Sequence, residues 1–403
     1  MAAEKNNKTL NVPNLRFPEF SGEWEKVHLS RIVTRVTRKN KNNESRLPLT
    51  ISAQYGLVDQ ISFFNKVVAS SDMSNYYLLH KGEFAYNKSY SGDYPWGAIK
   101  RLDRYDKGAL SSLYICFTPT DIIDSDFLVH YFESPKWHRE VSNIAGEGAR
   151  NHGLLNIAVP DFFNTQHCIA VNKAEQRKIA DFLNLINERI ETQKKIIEDL
   201  KKLKRAICDN CFSNGTKVKF GDLGSFIRGL SYSTDEVQES GNGTMVLRSN
   251  NIENGEEVNM DELVWVSKGL EDRQKLQYGD IVICMANGSS PLVGKASYFP
   301  KDYVQDATVG AFCGIFRPLS PAAKWLVQTK MYRKYIHQSI QGGNGAIANI
   351  YPQDILNMTF CIPNNLDSVT DALELLHERI ITEAEMLKLQ LSVKQHLLSQ
   401  IFI

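Results

Sequence analysis

The chain has 403 residues, 42% hydrophobic and 23% charged, with a formal net charge of +1. That length allows two or three domains with their own cores. No apolar run reaches the roughly 18 residues of a transmembrane helix, which argues against a membrane span, and the opening MAAEKNNKTLNVPN lacks the apolar h-region of a secretory signal. The seven cysteines are scattered apart from Cys208 and Cys211, a pattern that fits the reducing cytoplasm. The near-neutral charge counts against a uniformly basic nucleic-acid binder and leaves local basic patches as the alternative.

After an N-terminal segment (1–23), the first predicted globule covers 24–170. Leu49–Gln60, Lys81–Ser111 and Leu113–Phe117 are rich in β-branched and aromatic residues and are broken by Gly-containing turns, so they read as strands. RIVTRVTRKNK holds five cations, Arg31, Arg35, Arg38, Lys39 and Lys41, and no acid. A second polar cluster is Asn87, Lys88, Ser89 and Tyr90, followed by Lys100, Arg101 and Arg104.

A long helix is predicted over 171–214, ending at the break Ser213-Asn214-Gly215. The second globule covers 215–364. Thr244–Gly255 and Tyr278–Phe299 are again strand and turn in character. Its polar candidates are Arg248, Asn250 and Asn251 at one strand end, and Asn287, Ser289, Ser290 and Lys295 at another. A second long helix is predicted over 365–403.

The two helices are copies of each other. NERIETQ begins at Asn187 and HERIITE at His377, and 377 − 187 = 190. At that offset Ala180–Phe212 lies over Thr370–Phe402 without a gap. Apolar residues step by four and three through Ile179, Leu183, Ile186, Ile190, Ile197, Leu200 and Ile207. The second copy gives Val369, Leu373, Leu376, Ile380, Leu387 and Leu397. This is a coiled-coil seam. Its polar interruptions match, Gln193 with Glu383 and Lys204 with Lys394; fraying into solvent and register-setting are equally compatible with them. The repeat extends outward. Asn156–Ile169 resembles Asn349–Ile362, Trp24–Val33 resembles Lys217–Ile227, and Gly-rich turns lie at Gly146–Gly153 and Gly342–Ala348. Two globules, each followed by a copy of one helix, imply a pseudo-twofold molecule. The predicted fold is α+β: two mixed, strand-rich domains separated by two long helices that form an antiparallel coiled coil.

Catalytic signatures are missing. Gly288–Ser297 has five residues between Gly288 and Gly294 and Ala296 after Lys295, so it is not a phosphate-binding P-loop. There is no G-x-G-x-x-G fingerprint, no Pro-Pro pair and no H-E-x-x-H. Pro160-Asp161 finds its only later Asp-x-Lys at Asp199–Lys201, within a predicted helix, where a strand-borne nuclease site cannot form. Cys208 and Cys211 have metal spacing but no second pair. What remains is a binder. Arg and Lys grip phosphate and read guanine, and Asn reads adenine. Each single candidate reads more readily as a solvated loop residue. As a set on two inverted arms, they suit a bipartite DNA target.

This layout, with AEQRKIADFLNLINERI (Ala174–Ile190) and GDIVI…VGKA (Gly279–Ala296), resembles the specificity subunit of bacterial type I restriction-modification systems. The second helix departs from the pattern, having SVTDAL (Ser368–Leu373) where the first has EQRKI. The resemblance implies a cytoplasmic, non-catalytic subunit whose globules are target-recognition domains. Each would read one half of an asymmetric, interrupted sequence in double-stranded DNA. The helical pair would set the gap and dock two modification subunits, with restriction subunits joining them. S-adenosylmethionine, ATP and Mg²⁺ would belong to those partners, with no cofactor or metal in this chain and no membrane association. The alternatives are the recognition subunit of a combined methyltransferase–nuclease system and a coiled-coil scaffold that does not bind DNA.

Overall fold

The computed structural model describes residues 10–146, 153–239, 241–300, 306–341 and 347–403. Most of the two Gly-rich turns lies outside these residues. The chain divides into two compact units, Met1–Gln193 with Met386–Ile403, and Lys194–Glu385.

The first unit begins with β1 (Glu25–His28), α1 (Leu29–Ile32), β2 (Val33–Arg35), β3 (Pro48–Ser52) and β4 (Gly56–Asp59). Next come α2 (Gln60–Phe64), β5 (Tyr77–His80), β6 (Phe84–Asn87), β7 (Ala98–Arg101), β8 (Lys107–Leu110) and β9 (Ile115–Pro119). It continues through α3 (Ser125–Glu133), α4 (His138–Ile144), α5 (Val159–Asn164) and β10 (Gln166–Ile169) into the long α6 (Lys173–Cys211). The second unit has β11 (Thr216–Lys219), β12 (Gly224–Arg228), β13 (Val237–Gln238), β14 (Thr244–Leu247), β15 (Val264–Val266) and β16 (Ile281–Cys284). Then follow β17 (Ala286–Asn287), β18 (Ala296–Tyr298), β19 (Ala307–Val309), β20 (Cys313–Pro318), α7 (Ala322–Leu326) and α8 (Lys330–Ser339). It closes with β21 (Ala348–Asn349), α9 (Pro352–Leu356), β22 (Thr359–Ile362) and the long α10 (Leu366–Ile401).

The long helices form where Gly and Pro are absent. Asn172 starts α6, its Oδ1 accepting from the Ala174 amide at 2.8 Å, a side-chain cap on an orphan donor. Past its end, Gly215 takes φ +137° against β22, where a Cβ would collide with the Ile362 carbonyl. Only glycine fits there.

The weak outer repeat is real in three dimensions. β1 pairs antiparallel with β10, Glu25 opposite Ile169, and β11 pairs antiparallel with β22, Thr216 opposite Ile362. The sheets correspond too. The order β2-β9-β6-β7 in the first unit matches β12-β20-β16-β18 in the second. The three strands β4-β3-β8 match β15-β14-β19, each with one parallel pair, β3 with β8 and β14 with β19. The edges differ. The first unit adds β5 beside β8, and the second adds β13 beside β15.

Each unit pairs the early part of one long helix with the late part of the other. In the first, Ile179 and Leu183 of α6 share a core with Leu398 and Ile401 of α10. In the second, Cys208 of α6 shares a core with Val369 and Leu373 of α10. Within each unit this is antiparallel pairing, as the sequence predicts. Every seam residue is buried or half-buried, including Ile186, Ile190, Ile197, Leu200, Ile207, Leu376, Ile380, Leu387 and Leu397. The polar seam residues are not solvated: Gln193, Lys204 and Glu383 are buried and Lys394 is half-buried. Fraying into solvent is therefore excluded; at Lys204 and Lys394 it is the globules that cover the seam, through Gly255 and Glu133. The end of α10 is anchored by Phe402, whose ring lies 5.3 Å from Phe127 and 6.5 Å from Trp24. Aromatic pairs of this kind add to the large area each ring buries.

Candidate nucleic-acid interface

In the second unit three loops converge at one end of the sheet. Arg248, Ser249 and Asn250 follow β14, Gly310–Cys313 joins β19 to β20, and Leu230–Tyr232 follows β12. Together they line an open groove of about 730 Å³. Arg248 donates to the Glu262 carbonyl at 3.4 Å, and the Asn250 amide donates to the Glu262 carboxylate at 3.2 Å. Both side chains remain exposed. Asn287 joins from the next loop, its amide donating to Ser249 Oγ at 3.2 Å. Phe312 projects into the groove 61% exposed. A guanidinium, two amides and an exposed ring beside Tyr232 are the donor, acceptor and stacking groups that read base edges and faces. Phe312, exposed, and Tyr232, half-buried against Leu230 and Val246, are not evident from composition, since nothing in the sequence marks these aromatics as lining a groove.

Asn251 has a different place. It is 1% exposed. Its Oδ1 accepts from the Arg248 amide at 2.9 Å, and its Nδ2 donates to the carbonyls of Asn259 and Asp261 at 2.9 and 2.7 Å. It ties the loop that presents Arg248 and Asn250. Ser289 and Ser290 are exposed beyond Asn287, and Lys295 is half-buried before β18. No cluster of three or more His, Cys, Asp or Glu able to hold a metal occurs among the described residues.

In the first unit the candidates disperse. Arg31 is exposed and pairs with Glu25. Arg38 pairs with Glu83 at 2.7 Å. Lys39 donates to the Asn75 carbonyl at 2.8 Å and lies over the Tyr77 ring. Arg35, Lys41 and Arg104 are exposed, with no ion pair among the described residues. Arg101 is held between Asp103 and Asp126, each at 2.6 Å. Lys100 is half-buried, and burial pulls its pKa down against the attraction of Glu133. Asn87 forms an Asx turn with the Ser89 amide at 3.0 Å, as Asn287 does with Ser289 at 2.9 Å. Lys88 donates to the Ile157 carbonyl at 3.5 Å, and Tyr90 packs on the core. At the sheet end that corresponds to the groove, Tyr55 and Leu113 are exposed.

The long helices carry a further surface. On α6 Leu185, Ile196 and Leu203 are exposed. Steps of 11 and 7 residues (196 − 185, 203 − 196) place them on one helix face. Adding 190 gives Leu375, Met386 and Val393 of α10, also exposed. No described helix is long and apolar enough to cross a membrane.

No protein-family model matches the chain. Over 143 residues, 33% of its length, the chain is 32% identical to the type I restriction enzyme EcoKI specificity subunit of Escherichia coli K12. Over the same length it is 33% identical to the StySPI specificity subunit of Salmonella potsdam. The matched stretch spans only 30% of each of these relatives. Among solved structures, the S subunit of a type I restriction-modification system from M. genitalium aligns over 97% of this chain and 99% of its own, with a TM-score of 0.52 and 15% identity. A chain from a structural study of complex assembly and conformational transition in the type I system aligns over 95% and 98%, with a TM-score of 0.55 and 14% identity. By sequence over a third of its length, and by fold over nearly all of it, this chain is similar to the specificity subunits of type I restriction-modification systems.

Proposed function

We propose that the chain is the DNA-recognition subunit of a type I restriction-modification complex. Each globule reads one half of a bipartite, asymmetric target in double-stranded DNA. The observation that carries this reading is one sheet module built twice, with the same strand order but different edge strands and different loops at the reading end. Two readers of one design and different surface suit two different half-sites. The paired apolar stripes on α6 and α10 support the partner side of the reading. The same exposed face at the same repeat positions fits the same partner twice, so two modification subunits dock here, each laying an apolar helix on one stripe. Restriction subunits join through them. Methyl transfer, with S-adenosylmethionine, and ATP-driven cleavage, with Mg²⁺, belong to those partners, in the cytoplasm. The chain itself supplies specificity and no chemistry.

Methylome sequencing of the source cells with and without the gene tests this. An interrupted motif with methylated adenine should be present with the gene and absent without it. An unchanged methylome in cells that express the modification subunit would refute the proposal.

A further inference from the structure

One helix of the first unit reaches both long helices through polar groups. His130 and Glu133 sit one turn apart on α3. His130 Nε2 lies 2.8 Å from Asn184 Oδ1 on α6, and His130 Nδ1 lies 3.2 Å from Glu133 Oε2. The same carboxylate oxygen takes the ammonium of Lys394 on α10 at 3.0 Å. His130 is 1% exposed, and the side chains of Glu133 and Lys394 are 24% and 17% exposed. Asn184, His130, Glu133 and Lys394 thus form one chain of bonds from α6 through the globule to α10. The second unit clasps its globule on both sides by other means. Lys204 of α6 donates to the Gly255 carbonyl at 3.3 Å. On α10, Glu374 takes Lys324 at 2.6 Å, and His377 Nε2 lies 2.6 Å from Tyr298 Oη.

At the outer ends of these helices the globule is also tied by polar bonds, Arg16 and Trp24 to Glu175, the Asp124 amide to Gln176 and the Leu15 amide to the Gln400 carbonyl. Farther along, beside the clasp, the contact is apolar, through residues such as Leu183 and Ile186. Apolar contact is non-directional and tolerates sliding. Hydrogen bonds and ion pairs of this length do not, since a few tenths of an ångström weaken them. Changing the gap of a bipartite target by one base pair moves a half-site by about 3.4 Å along the duplex and turns it by roughly 35° at about ten base pairs per turn. A globule held by the clasp cannot follow that movement.

Resting on the proposed DNA-recognition role, we infer that the Asn184–His130–Glu133–Lys394 clasp fixes the gap length that the first domain accepts. Glu133 and Lys394 are positioning residues for spacing, not for base identity.

The test uses the complete complex with its modification subunits. Methyl-transfer rates are measured on duplexes carrying both half-sites at the native gap and at gaps one base pair shorter and longer. Lys394→Met and Glu133→Gln each break the ion pair, Glu133→Gln without change of volume, and Lys394→Arg keeps it. Thermal melting confirms that each variant is folded. The preference for the native gap should fall about tenfold or more in both breaking variants, through faster transfer at the wrong gaps. The preferred bases of each half-site should stay the same, and Lys394→Arg should retain the native preference. If folded Glu133→Gln keeps the wild-type gap preference, or loses rate equally at all gaps, the inference is overturned. A wild-type complex with no interrupted target would overturn the recognition reading instead.

Discussion

Lys204 and Lys394 stand at the same place in two copies of one helix, 394 − 204 = 190 residues apart, and each turns its ammonium onto the globule of its own unit. Lys204 meets the Gly255 carbonyl at 3.3 Å and Lys394 meets Glu133 at 3.0 Å. The chemistry differs while the role repeats. A buried lysine is costly unless its ammonium has a partner, and burial pulls the Lys204 pKa down. Lys204→Ala should cost about 1–3 kcal/mol, from an unsatisfied carbonyl and a lost apolar stem. Lys204→Met, which keeps the stem and removes the buried charge, should cost less. Chemical denaturation of the three proteins gives the order, and equal losses for Ala and Met would contradict it.

The second unit should weaken in mild acid through His377. Burial, then the nearby Lys204, Lys324 and Lys201, push its pKa down to about 3. An unfolded histidine titrates near 6.5. The neutral ring therefore favours the fold fully above about pH 6.5, and that contribution is lost as pH falls toward about 3. At pH 5 the loss is on the order of 2 kcal/mol. NMR titration should find the His377 ring neutral at pH 5. A ring that titrates near pH 6.5 would contradict this.

In the groove, Arg248→Ala should cost about 1–3 kcal/mol in target binding and relax one position of one half-site, as loss of a base-reading arginine does. Phe312→Ala should weaken binding without moving base preference, since a stacked ring reads faces and not edges. Competition binding against single-base variants of the target separates the two. A relaxed position in both half-sites would contradict the assignment of the groove to one.

Leu185→Asp should remove one modification subunit and leave the other, because the charge falls on one stripe only. Leu375→Asp should do the same, and the double variant should lose both. Native mass spectrometry counts the subunits. Loss of both subunits from either single variant would show that the stripes are not separate docking faces.

The seam was legible because heptad spacing is a local, periodic signal that survives without context. The repetition of the segments that form β1 and β10, and again β11 and β22, was legible as weak copies of the same phrases, whereas their pairing is a long-range contact that no local pattern announces. The burial of Gln193, Lys204 and Glu383 was not, since a polar residue in a seam reads the same whether water or a globule covers it. Asn251 and Arg101 show the same limit. Beside Arg248 and Asn250, Asn251 has the look of a base reader, yet it is spent on loop carbonyls. Arg101 is spent on Asp103 and Asp126, and Asp126 lies 25 positions away (126 − 101). The edge strands β5 and β13 and the shared strands β15, β19 and β20 lie outside the segments predicted as strands, because elements of two to six residues carry too little alternation to read.

The most direct measurement of the central claim is a domain replacement. Residues 24–170 are exchanged for the corresponding domain of a specificity subunit with a known, different target, and the methylated motif is sequenced. One half-site should change to that of the donor, while the other half-site is retained. A motif in which both halves change together, or neither does in an active complex, would contradict a chain built from two independent readers.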